Sequence, residues 1–171
     1  MSEKNTTTPS NARNDELKAI LEKFKTEGKD PFDRENIEAL GNKVIIENED
    51  WYVIKNQWPY QNAKRHFVII CKHSIQNIVE LSRKALLNLQ KIQSELIVRY
   101  KIYGGAFCMR FGNPELSGTT CTRLHGHLLT PKENELVTFP IGKFKQKKRW
   151  KIILDICLGN NVFLIYNIKI F

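Results

Sequence analysis

Residues 118–131 read GTTCTRLHGHLLTP. From Cys121 onward the run is rich in apolar residues and stops at Pro131, which predicts a strand over 121–131. Side chains at i and i+2 on a strand point to one face. His125 and His127 are therefore expected side by side, with Arg123 extending the row at spacings of about 6–7 Å. SGTT (117–120), directly before them, is a loop of small residues suited to offering backbone N–H groups and hydroxyls to an oxyanion.

Such a row suits phosphate chemistry. A neutral imidazole is a competent nucleophile near pH 7, since its unperturbed pKa is about 6.5. A guanidinium beside it neutralises phosphate charge in a bidentate way. A second imidazole bonds a phosphate oxygen or helps move a proton. By itself an H-x-H pair is common. Without a nearby third Cys, Asp or Glu, metal binding is the weaker reading.

Working outward, AFCMRFG (106–112) reads as another strand, joined to 121–131 by the polar loop 113–120. Upstream lies the longest helix, from Ser82 to the Gly104-Gly105 pair, with Ala85, Leu86, Leu89, Ile92, Leu96 and Tyr100 at three- and four-residue steps. HFVIICK (66–72) is a continuous apolar run and so a central strand. KVIIEN (43–48) and WYVIKN (51–56) form a strand pair around Glu49-Asp50. Leu17, Ile20, Leu21 and Phe24 mark a short amphipathic helix ended by Gly28. Asp33 is placed to cap a second one carrying Ile37 and Leu40, ended by Gly41. This order predicts an α+β domain: a mostly antiparallel five-stranded sheet, one long helix and short N-terminal helices. The polar residues 1–13 are expected to be disordered, the domain to span 14–142, and 143–171 to be an extension.

The 171 residues amount to one domain, 42% hydrophobic and 26% charged, which excludes collagen-like, coiled-coil and wholly disordered classes. The start MSEKNTTTPSNARN is polar throughout and unlike a secretory signal. Cys71, Cys108, Cys121 and Cys157 form no CxxC pair, which favours free thiols in a reducing, cytoplasmic setting. The net charge is +9, of which 143–171 carry +6. The body is only mildly basic, so no specific nucleic-acid binding is expected. The tail packs six basic residues into 143–151 ahead of an apolar but interrupted stretch. It reads as an extra hairpin, a weak membrane-surface anchor or sequence from a shifted reading frame.

The stretch 118–131 resembles the histidine-triad (HIT) superfamily, whose signature is His-φ-His-φ-His-φ-φ with a glycine five residues before. Gly118, Arg123, His125, His127 and Leu128-Leu129 fit that register. The resemblance extends over about 43–142, including Asn56, His66, MRFGNPELSGTT and FPIG (139–142). It implies a HIT-like fold, a purine nucleotide substrate, no required cofactor, Mg²⁺ only alongside a polyphosphate, and a homodimer. His125 maps onto the nucleophile that forms a nucleotidyl-histidine. His127 maps onto a phosphate contact that supports it. Thr120 and the backbone of Gly118 and Thr119 map onto phosphate-holding positions, and Asn56 onto a ribose contact. His66 maps onto a histidine that orders the triad, although a strand-start histidine satisfied by backbone is an equal reading. Arg110 or Phe111 falls near a position where relatives use a polar amide. Trp58 and Tyr60 are candidates to wall the base or simply to pack.

One departure stands inside the motif: Arg123 replaces the first triad histidine. Its fixed charge is expected to lower the pKa of the neighbouring imidazoles. Two functions follow. The first is a phosphohydrolase or phosphoramidase acting at the α-phosphate of nucleoside phosphoramidates or dinucleoside polyphosphates. The second is a nucleotide-binding relative with weak or no catalysis because of Arg123.

Overall fold

A computed structural model describes residues 6–143. Five strands, β1 (Val44–Glu47), β2 (Trp51–Lys55), β3 (Ala63–Cys71), β4 (Ala106–Arg110) and β5 (His125–Pro131), form one sheet in the order β1-β2-β3-β5-β4. Every neighbouring pair is antiparallel. The helices are α1 (Asp15–Glu27), α2 (Arg34–Ala39), α3 (Arg83–Arg99) and the single turn α4 (Pro114–Ser117). The expected α+β class, five-stranded sheet and long helix are what the chain forms.

Local chemistry sets the helix ends. The Asn14 side chain accepts from the Leu17 N–H at the start of α1, and Gly28 closes it at φ +63°, a left-handed conformation natural to glycine. Ser82 caps α3 by accepting from the Ala85 N–H. Along α3, Ala85, Leu89, Ile92 and Leu96 are buried in one stripe.

The strand period of two then divides the labour of the sheet. Trp51, Val53, Phe67, Ile69, Cys71 and Leu128 cluster with Leu89, Ile92 and Leu96 of α3. The wholly buried Trp51 indole donates to the Ala85 carbonyl at 2.8 Å, tying strand to helix. The intervening residues Tyr52, Ile54, Val68 and Ile70 pack with Ile37 of α2 on the opposite face. In register, Ile70 and Arg110 flank His125, while Val68 and Cys108 flank His127. Both histidines and Arg110 thus lie on the face away from α3.

Two expectations need correction. Residues 6–13 are not disordered. Thr8 N–H donates to Thr120 O at 2.8 Å, Thr122 N–H donates to Thr6 O at 3.0 Å, and the Thr7 hydroxyl donates to Leu21 O at 3.2 Å. Composition suggested disorder because the segment carries almost no apolar surface; it is held by backbone pairing instead. The last strand also starts later than expected, at His125 rather than Cys121. Residues 120–122 spend their backbone groups on Thr6–Thr8, and Leu124 N–H goes to Ile75 O. Smaller differences are β3 starting at Ala63 and the turn α4 inside the 113–120 loop. The readings of the tail beyond Lys143 lie outside the described residues. No helix among the described residues is long and apolar enough to cross a membrane.

Deleting residues 1–11 removes five hydrogen bonds that Thr6, Thr8 and Asn11 make to 114–122. At roughly 0.5–1.5 kcal/mol net for each, the loss is expected to be about 5 kcal/mol in urea unfolding. A truncated chain with the parent's midpoint would refute this role.

Candidate active site

β5 and β4 bring His125, His127 and Arg110 to the floor of a cavity of about 430 Å³. Its apolar wall comes from Leu17, Ile20 and Leu21 of α1, Ile37 and Leu40, Ile54 and Val68. Its polar end holds Asn56, Thr120, Gly118, Arg13, Arg110 and the two histidines.

The proton positions in the histidine cluster follow from one backbone donor. The Tyr60 N–H points at His66 Nδ1 at 3.2 Å, so that nitrogen must be an acceptor. His66 is neutral: burial, with Arg13, Arg110 and His125 adding to it, lowers its pKa to about 3. Its proton therefore sits on Nε2, which lies 2.9 Å from His127 Nδ1 and donates to it. His127 is likewise held well below its ordinary pKa, first by burial, then by the adjoining His125 and His66 and by Arg110 and Arg13. With Nδ1 accepting, its N–H is on Nε2, and that atom is buried without a hydrogen-bond partner. His125 is set separately. Its Nδ1 is 2.8 Å from the Arg123 carbonyl, which only accepts, so Nδ1 carries the proton and Nε2 the lone pair. Burial, opposed by that hydrogen bond, lowers its pKa to about 4. The Phe32 ring meets the His125 ring edge-on at 4.8 Å between centroids.

A free imidazole lone pair and an unpartnered imidazole N–H thus stand on adjacent rings, 5.1 Å between centroids. That pair is chemically equipped to attack an electrophilic centre and to bond one of its oxygens.

The structure overturns the place given to Arg123. Because the ladder ends at His125, strand alternation does not reach residue 123. Its side chain, 9% exposed, turns away to Asp30 at 2.9 Å, Asp33 at 2.5 Å and the Phe32 carbonyl at 3.2 Å. Asp33 consequently makes no side-chain cap on α2, as had been expected. Burial opposes the Arg123 charge, but Asp30, Asp33 and Tyr52 outweigh it and raise its pKa. The depressed pKa of His125 owes nothing to the Arg123 charge; burial and Arg110 cause it.

Of the proposed phosphate loop, Thr120 and Gly118 line the cavity. Gly118 N–H is already bonded to Pro114 O, and the Thr119 hydroxyl turns inward to Cys121 O at 2.9 Å. Thr119 is buried and does not line the cavity, so Thr120 is the loop side chain that does. Gly118 is required sterically. At φ +74° a Cβ would stand 2.3 Å from the Gly142 carbonyl, where the 139–142 segment crosses the loop. Asn56 lines the cavity, but its Oδ1 accepts from Trp58 N–H at 2.9 Å, turning the Nδ2 donor toward the accepting His66 Nδ1 at 3.3 Å. His66 lies behind His127 and orders it. Trp58 and Tyr60 both line the cavity.

Sequence reasoning missed Arg13, Phe32 and Phe139. The Arg13 guanidinium lies 4.0 Å from the centre of the Tyr60 ring. Phe139 packs on His127 at 5.3 Å between centroids. No local pattern marks Arg13 or Phe32; Phe139 belongs to the FPIG segment, whose role the sequence did not reveal. Of Arg110 and Phe111, it is Arg110 that the register sets opposite His125.

No protein-family model matches the chain, and no curated protein matches it. Solved structures similar to it include a HIT family hydrolase from Clostridium thermocellum, 24% identical over 60% of this chain and 92% of that one, with a TM-score of 0.49. Another is a hypothetical histidine triad nucleotide-binding protein from Sulfolobus tokodaii, 21% identical over 65% and 78%, with a TM-score of 0.46. A third is a HIT family hydrolase from Legionella pneumophila, 21% identical over 62% and 96%, with a TM-score of 0.43. At these scores the likeness is partial, and the site's own residues must carry any functional reading.

Arg123→His, which on sequence alone restores a third triad histidine, is expected instead to destabilise the fold. It leaves the buried Asp30 without its partner, at a cost of about 3 kcal/mol in urea unfolding. A stable, more active Arg123→His variant would contradict this placement. The neutral histidines also set a pH dependence. Between about pH 6.5 and pH 4 the unfolded chain binds protons that the folded cluster refuses, so stability rises with pH there and is full above that window. Each histidine contributes up to about 1.4 kcal/mol per pH unit. The urea midpoint should fall from pH 7 to 4.5, and fall less in His125→Gln; equal slopes in the two proteins would contradict the neutral, buried state of His125.

Proposed function

We infer that the protein hydrolyses nucleotides at the α-phosphate through a nucleotidyl-histidine on His125. The observation that carries this is the pairing of a free Nε2 lone pair on His125 with a buried, unpartnered Nε2–H on His127. A buried donor without an acceptor is costly, about 1–3 kcal/mol, and a phosphate oxygen supplies what it lacks. The apolar wall from α1, α2, β2 and β3 suits a nucleobase; the polar end suits phosphates.

The His125 Nε2 lone pair forms an N–P bond as the bond to the leaving group breaks, and the leaving group takes that electron pair. The imidazole becomes cationic in this step. Its Nδ1–H bond to the Arg123 carbonyl stabilises that charge, so residue 123 serves catalysis through its backbone. Water then attacks phosphorus and gives up a proton to solvent, the N–P bond breaks with its electron pair returning to His125 Nε2, and neutral His125 is left as a nucleoside monophosphate is released. Dividing one displacement into two lowers each barrier. No carboxylate among the described residues lines the cavity, so any Mg²⁺ would arrive with a polyphosphate.

The test is AMP release from adenosine phosphoramidate and diadenosine tetraphosphate, followed by chromatography, for the parent and His125→Ala. The variant should lose at least a thousandfold in turnover and still bind AMP. Equal turnover in the two proteins would overturn the assignment. AMP binding with no turnover by the parent would favour the nucleotide-binding reading.

A further inference from the structure

Arg13 and Arg110 reach the same aromatic ring from different sides. Arg13 lies over the face of Tyr60, with its Cζ 4.0 Å from the centroid. Arg110 Nη2 donates to the Tyr60 hydroxyl at 2.9 Å. The other face of Tyr60 stacks on His66 at 4.9 Å and 11°. Both arginines line the cavity that contains His125 and His127.

Their partners are all neutral. Arg13 donates to Trp58 O at 2.6 Å, and Arg110 donates to Pro140 O at 2.5 Å and lies over the Phe139 ring. Among the described residues, neither makes an ion pair, whereas Arg34, Arg99 and Arg123 all do. Among the described residues, the cavity wall holds three cations, Arg13, Arg110 and Lys143, and no carboxylate. Lys143 is paired with Glu115. The two arginines repel each other and retain N–H donors for a bidentate acceptor.

We propose that Arg13 and Arg110 form an anion clamp for the phosphates beyond the α-phosphate, which makes the substrate a nucleoside or dinucleoside polyphosphate rather than a phosphoramidate. This rests on the hydrolytic reading of the site and narrows it. The leaving groups differ in what they demand. An amine must gain a proton as the P–N bond breaks; among the described residues no carboxylic acid lines this cavity, and the His127 Nε2–H, on an imidazole held uncharged, is a weak acid. A polyphosphate leaves with the electron pair on its bridging oxygen, and fixed cations stabilise that charge directly.

The experiment measures ATP and AMP affinity by calorimetry in the full-length His125→Ala protein, which does not turn over, with and without Arg13→Gln plus Arg110→Gln. Beside it, kcat/KM for diadenosine tetraphosphate and adenosine phosphoramidate is measured with His125 intact. ATP should bind at least thirtyfold tighter than AMP, and the double substitution should cut that ratio at least tenfold. The polyphosphate should lose at least tenfold more kcat/KM than the phosphoramidate. Arg110→Lys, which keeps the charge, should retain most of the ATP preference and control for folding. An ATP-to-AMP ratio unchanged by the double substitution would overturn the clamp, as would parallel loss of both substrates. Turnover that survives His125→Ala while the ATP preference persists would instead overturn the covalent mechanism and leave the clamp standing.

Discussion

One peptide N–H sets the proton positions of the histidine cluster. Tyr60 donates to His66 Nδ1, and because a backbone amide never accepts there, every later proton in the chain has one place to go. His66 passes an N–H to His127, and His127 is left with a donor and no acceptor. Burial makes the argument strict. A solvated histidine would exchange tautomers or take a second proton, but His66 and His127 are both held neutral by desolvation. The loop before β3 therefore sets the proton positions on β5, through side chains brought together by the β3–β5 ladder.

The sheet makes this arrangement affordable by separating two tasks. One face is given wholly to apolar contact with α3, so the other carries buried polar groups without undermining the core. On that face the histidines are enclosed by pieces from both ends of the described chain. Thr6–Arg13 pair with 114–122 and reach Tyr60, while 139–142 cross the Gly118 loop and pack Phe139 on His127. Arg123 belongs to this enclosure. It binds Asp30, Asp33 and the Phe32 carbonyl, and the Phe32 ring rests on His125. A residue that interrupts the histidine row thus braces the segment that packs against His125.

The histidine pair and the sheet were legible because both depend on periodicity, a local property. His125 and His127 share a face wherever a strand exists. The α3 stripe was legible for the same reason. Arg123 was misread because alternation holds only while the ladder continues, and the ladder is ended by Thr6–Thr8 from the far end of the chain. Arg13 left no trace, since its meaning depends on Tyr60, and the segment bearing it looked too polar to fold. Thr119 and Thr120 differ only in which hydroxyl the loop turns inward, and no spacing rule encodes that.

Charge and neutrality are arranged against each other in the cavity. The imidazoles are kept neutral by the same burial and by the same arginines that make the cavity attractive to anions. A cationic neighbour that depresses a histidine's pKa does not impair a nucleophile; it keeps the lone pair available at neutral pH. For the proposed reaction, this removes the usual conflict between binding a phosphate and protecting its attacker. On the proposed mechanism, an arriving anion would neutralise Arg13 and Arg110, weaken their hold on the imidazoles, and make the positive charge formed on His125 during attack less costly.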